Sequence, residues 1–134
     1  MAPDPMKGAM GARDAAARRA MILLELKRLA DTGRGIECLP RLVDAAGTDR
    51  AVLALHVWLI DQAVFGSGRE RALNHLRRAC EWTGARPDRS PGTLTVGWLL
   101  DERTGGARLL AWLTALACDR TIGGWTPPPP DPYA

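Results

Sequence analysis

Two histidines, three cysteines and two serines are the side chains of this 134-residue chain best suited to act as nucleophile, base or soft metal ligand. A nucleophile needs a base within reach, and the base needs a third group to orient it. Ser67 and Ser90 lie in Gly66-Ser67-Gly68 and Ser90-Pro91-Gly92, where capping or turn formation accounts for them, and neither stands in Gly-x-Ser-x-Gly. His56 sits among Val52, Leu53, Leu59 and Ile60 with no acid at helical spacing, so it reads as a core histidine rather than a base. His75 and Cys80 are separated by five positions, about 140° around a helix, which turns them away from a shared metal. There is no Walker loop, no Gly-x-Gly-x-x-Gly and no His-Glu-x-x-His. The expectation is no catalytic residue, no metal and no cofactor, with a small helical enzyme ranking third behind two binding readings.

The first binding surface falls on the fourth expected helix. Arg71, His75, Arg78 and Trp82 recur at i, i+4, i+7 and i+11, with Arg69 and Arg77 beside them and Arg86 and Arg89 in the loop beyond. Such a row suits a phosphate backbone, the arginines neutralising charge and Trp82 stacking on a base. It equally suits a protein partner, or a solvated face opposite the apolar row Ala72, Leu76 and Ala79, tempered by Glu70 and Glu81. Residues 66–92 carry a net +3, which equals the net charge of the whole chain. Sixteen of the 18 basic residues are Arg, as a GC-rich, bacterial-type coding sequence gives, so the pI of 9.1 speaks to solubility and weak non-specific binding. A helix-turn-helix is disfavoured: the third expected helix is apolar nearly all round, and Gln62 stands where a small residue is wanted before Gly66.

The second candidate surface is the tail. Trp125 precedes the run Pro127 to Pro130, and Tyr133 follows Pro132, a polyproline II sequence that an aromatic-lined groove could take. Of the five tryptophans, Trp58, Trp98 and Trp112 read as core anchors with their indole donors satisfied at an edge, while Trp82 and Trp125 read as partner-facing.

These groups must be placed by helices. Hydrophobic residues make up 46% and charged residues 25%, ordinary globular usage, and the length suits one domain. Residues 1–12 lack periodicity and read as a flexible arm, 13–122 as the helical domain and 123–134 as the Pro-rich tail. Helices are expected from about Ala12 to Asp31, Ile36 to Ala46, Asp49 to Phe65, the Ser67 turn to Trp82, Thr93 to Arg103, and beyond Gly106. Ion pairs Asp14 to Arg18 and Lys27 to Asp31 should support the first, Thr48 should cap the third, and a Ser67–Glu70 capping box should open the fourth. The fold class expected is all-α, a compact antiparallel bundle of about six helices with a mobile N-terminal arm and a polyproline C-terminal tail. Trp58-Leu-Ile-Asp-Gln and Trp98-Leu-Leu-Asp-Glu echo one another 40 residues apart, with Cys80 and Cys118 following at a spacing of 38, a faint helical-hairpin repeat.

Three cysteines without a Cys-x-x-Cys spacing argue against a disulfide framework and for a reducing compartment, the cytoplasm. The apolar run after Arg18-Arg19 ends within five residues, and His56, Asp61 and Gln62 interrupt the most apolar segment, so neither a signal peptide nor a membrane span is expected. The function expected is a non-enzymatic protein-interaction module, an adaptor, assembly subunit or small regulator, with another protein as partner. A nucleic-acid-binding protein using the Arg71, His75, Arg78 and Trp82 row is the alternative. Apolar surface in excess of what a small bundle hides allows a homodimer.

Overall fold

Ala, Met, Leu and Arg dominate the first thirty residues, and they are good helix formers. In a computed structural model that describes residues 5–86 and 90–119, helix α1 runs from Pro5 to Asp31, so the helix begins seven residues earlier than the sequence suggests. Pro5 sits at the first helical position, where a missing amide proton costs nothing, and the alanines outweigh Gly8 and Gly11. The expected ion pairs form, Arg18 donating to Asp14 at 2.9 Å and Lys27 to Asp31 at 3.0 Å. Ile22 and Leu26 bury the core face. Gly33, at φ +78°, turns the chain, and the Arg34 amide donates back to the Leu29 carbonyl at 2.8 Å.

A 3-10 turn at Gly35–Glu37 leads into α2, Cys38–Thr48. Thr48 closes α2 rather than capping the next helix; the cap is Asp49, whose carboxylate accepts from the Ala51 amide at 2.9 Å. The single long helix expected from Asp49 to Phe65 is two, α3 (Arg50–Leu53) and α4 (Val57–Phe65). The break exists because Leu55–Val57 pairs with Leu94–Val96: the Val57 amide donates to Leu94 O at 3.0 Å and the Val96 amide to Leu55 O at 2.8 Å, an antiparallel bridge around His56 and Thr95. These bonds replace the helical ones that the segment forgoes.

Gly66, at φ +70°, ends α4, and α5 runs from Arg69 to Thr83. The capping box does not form. Gly68 is the N-cap, and Ser67, one residue too early, is buried with its hydroxyl unpartnered among the described residues. The fifth expected helix shrinks to α6 (Val96–Leu99) between 3-10 turns at Pro91–Thr93 and Glu102–Thr104, with Thr95 accepting from the Trp98 amide at 3.2 Å. Helix α7, Ala107–Cys118, follows Gly105 and Gly106, both in the left-handed region.

The result is an all-α compact bundle with seven helices and no strand among the described residues. Helix α5 lies along α7, α4 packs on α1 and α5, and α2 and α3 close against α1. Leu26, Leu42, Leu55, Leu76, Leu99, Val57 and Val96 are fully buried at their junction. No described helix is long and apolar enough to cross a membrane. The residues of the Pro-rich tail lie outside the described ones.

The two echoed segments share a local device. Each leaves the bridge, and each tryptophan is covered by an arginine at the start of the next long helix: Arg69 lies 5.7 Å from the Trp58 ring centroid and Arg108 lies 4.8 Å from that of Trp98. The acid three residues after each tryptophan also faces a basic group on that helix, Asp61 toward His75 and Asp101 toward Arg108 at 3.7 Å.

Candidate functional site

Helix α4 is apolar except for Asp61 and Gln62, and Asp61 is completely buried. A charge in such a place must be paired. Its partner is His75, reached because the short Gly66–Gly68 turn folds α5 back along α4. His75 Nδ1 and Asp61 Oδ2 are hydrogen-bonded at 2.5 Å, and Nε2 and Asp119 Oδ2, just beyond the end of α7, at 2.6 Å. When protonated, the ring is an imidazolium that donates to both carboxylates. Burial alone would lower the pKa of His75, but the hydrogen bonds to Asp61 and Asp119 outweigh it and hold the value above the ordinary 6.5. Arg71, one turn earlier on α5, lies 3.9 Å from Asp119. In that state the ring has no lone pair for a substrate proton. It is a clasp joining α4, α5 and the end of α7.

The row of residues singled out on α5 is therefore interrupted. His75 is 4% exposed and faces the core, whereas Arg71, Arg78 and Trp82 face solvent. Arg78 lies 5.7 Å from the Trp82 ring centroid, Arg77 donates to Asn74 at 2.5 Å, and Arg69 covers Trp58. Arg86 is exposed beyond α5; Arg89, Trp125, Pro127, Pro130 and Tyr133 lie outside the described residues. The structure brings Arg71, Arg78 and Trp82 onto one exposed face without His75. Trp112 is the deepest of the described tryptophans, at 3% exposure, but its indole N–H has no partner among the described residues, contrary to the expected edge placement. His56 is half-buried at the N-cap of α4.

An open concavity lies elsewhere. Where α1, α2, α4 and α7 diverge they leave an open groove of about 670 Å³, within the roughly 300–1,000 Å³ of typical binding pockets. Its walls are apolar: Leu26, Leu39, Leu42, Phe65, Trp112 and Leu113. Cys38 also lines it, its thiol donating to the Leu26 carbonyl at 3.4 Å, and burial pushes the thiol pKa up, so it offers no thiolate near neutrality. At the rim stands Ile36, 90% exposed, on the 3-10 turn before α2. Arg34 and Glu37 bracket it with a two-pronged ion pair, Nε to Oε2 at 2.5 Å and one terminal nitrogen to Oε1 at 2.8 Å, and that guanidinium holds the Glu37 carboxyl below its ordinary range. An apolar hole thus lies beside an apolar knob on a braced turn. No family model, curated protein or solved structure matches the chain. The groove can take up apolar surface, and its described lining holds no base, charged group or cluster suited to a metal.

The sequence missed both the clasp and the groove. Asp61 within an apolar helix was the available signal for the first, since a buried carboxylate demands a cation. Nothing in the sequence marks the second, because it is a gap between four helices.

Proposed function

We propose that this protein is a non-enzymatic interaction module of the cytoplasm, an adaptor or assembly subunit that binds another protein surface through the groove beside Ile36. The observation that carries this reading is the open groove of about 670 Å³ with its 90%-exposed isoleucine. An isoleucine side chain left in water forgoes about 1.5–3 kcal/mol of burial free energy. A contiguous apolar patch with a concavity is a common mark of a partner site. The two-pronged Arg34–Glu37 pair holds the knob in place before binding, which lowers the ordering cost of association.

The test is site-specific photocrosslinking in the full chain, with benzoylphenylalanine placed at position 36 and, as control, at exposed Met10. The reading expects a discrete protein adduct at position 36, weakened by Leu113→Glu in the groove wall and absent at position 10. Absence of any protein adduct at position 36, or an adduct indifferent to Leu113→Glu, would refute it.

One observation favours a second reading. Arg78 stacked on Trp82, which is 48% exposed, is a surface on which a nucleobase could stack, with Arg71 and Arg86 near the backbone path. Under this reading, fluorescence anisotropy with short single-stranded RNA and DNA gives salt-sensitive binding that Arg78→Glu abolishes.

A further inference from the structure

We infer that the occupant of the groove is a second copy of this chain, docked about a two-fold axis so that the Ile36 of each copy enters the groove of the other. The inference rests on the reading of the groove as a protein-binding surface and names the partner. A two-fold contact must be self-complementary, since the same patch serves on both sides. A groove built for a foreign helix needs only the hole. Here hole and knob share one patch: Ile36 is itself part of the groove wall and yet is 90% exposed, so the described residues of its own chain do not cover it.

The patch continues in the same sense on both sides. Along α2, Leu39 and then Val43, 45% exposed, follow Ile36 at spacings of three and four; on α7, Leu110 is 67% exposed one turn before Thr114 and beside the groove residue Leu113. The groove's walls are mostly apolar and can accept such side chains. The flanking charges are also self-compatible. Arg34 and Glu37 neutralise each other within a copy, so apposing two copies brings together two neutral pairs rather than two like charges.

The experiment uses the intact chain. Light scattering on a sizing column, across a wide range of concentration, should move from the 14.5 kDa of one chain toward twice that mass. Ile36→Glu should return it to one chain at every concentration, while Ile36→Leu keeps the doubled mass. Ile36 is almost fully exposed, so both variants should keep the far-ultraviolet circular dichroism and the unfolding midpoint of the parent. In a mixture of isotope-labelled and unlabelled chains, an isotope-filtered spectrum should connect the Ile36 methyl of one copy to the Trp112 ring of the other. A single-chain mass at every concentration, a doubled mass that Ile36→Glu leaves intact, or absence of the intermolecular Ile36–Trp112 signal would overturn the inference. These failures differ from failure of the groove reading: a foreign-protein adduct at position 36 alongside a monomeric chain would keep the interaction module and remove the second copy.

Discussion

The His75 ring and the Asp61 carboxylate, fourteen residues apart, meet at 2.5 Å in the interior of the bundle, and Asp119 closes the other side of the ring at 2.6 Å. One imidazolium thereby fixes the antiparallel pairing of α4 and α5 and the end of α7 against them. Asp61 Oδ1 has no partner among the described residues, so the histidine carries the compensation of that buried charge.

Removing the cation should therefore cost more than a typical substitution. His75→Ala strands a completely buried carboxylate and is expected to destabilise by about 3–5 kcal/mol, the range for breaking a buried pair by deleting one partner. Urea unfolding followed by circular dichroism measures it. A loss under about 1 kcal/mol, typical of exposed pairs, would show that the clasp does not hold the fold together.

The same pair sets a pH dependence. The folded pKa of His75 lies above its ordinary 6.5, so the folded state holds the proton more tightly than the unfolded chain. The stabilisation is complete below about 6.5, the unfolded value, and is lost as pH rises through the folded value. The urea midpoint of the parent should fall as pH is raised from near neutrality, and His75→Gln should flatten that part of the curve. A parent midpoint that climbs over the same window would contradict the doubly hydrogen-bonded imidazolium.

Two glycine substitutions contrast the close crossing of α3 and α6 with an open position in α2. A Cβ on Gly97 would come 3.3 Å from the backbone oxygen of Leu53, so Gly97→Ala should destabilise through overpacking, by about 1–3 kcal/mol. A Cβ on Gly47, within α2, meets nothing within 4 Å, and Gly47→Ala should stabilise by about 0.4–1 kcal/mol. Thermal unfolding of the two variants should move the midpoint in opposite directions.

The thiols should separate by accessibility. Cys118 is exposed, whereas Cys38 and Cys80 are buried, and burial pushes both of their thiols up. Timed alkylation read by mass spectrometry should label Cys118 first and the other two only as the fold opens. Early labelling of Cys38 would mean that the groove beside it gapes in solution.

The helices with one apolar stripe were legible in the sequence. Ile22 and Leu26 of α1 and Trp112 and Leu116 of α7 sit in the core at the i,i+4 spacing of one helix face, and the Asp14–Arg18 and Lys27–Asp31 pairs form as the i,i+4 rule requires. Long-range pairing escaped it. Leu55–Val57 read as mid-helix because the residues around His56 are apolar, and only the distant Leu94–Val96 segment supplies the hydrogen bonds that break the helix there. His75 shares its helix with Arg71 and Arg78, so spacing placed all three on one face; the pull of Asp61 and Asp119, 14 and 44 residues away, turns it inward. The groove depends on how far α1, α2, α4 and α7 diverge, which no local pattern encodes, and Ile36 became notable only once the hole beside it was visible.

Phe65 is the only phenylalanine in the chain and it lines the groove, so fluorophenylalanine incorporation places one fluorine reporter in the proposed contact surface. The fluorine spectrum of the intact protein, recorded as its concentration is raised, tests the central claim most directly. The account predicts a resonance that shifts or broadens with concentration, a dependence that Ile36→Glu removes and Arg78→Glu leaves unchanged. A resonance fixed at every concentration, indifferent to Ile36→Glu and disturbed only when nucleic acid is added, would contradict it.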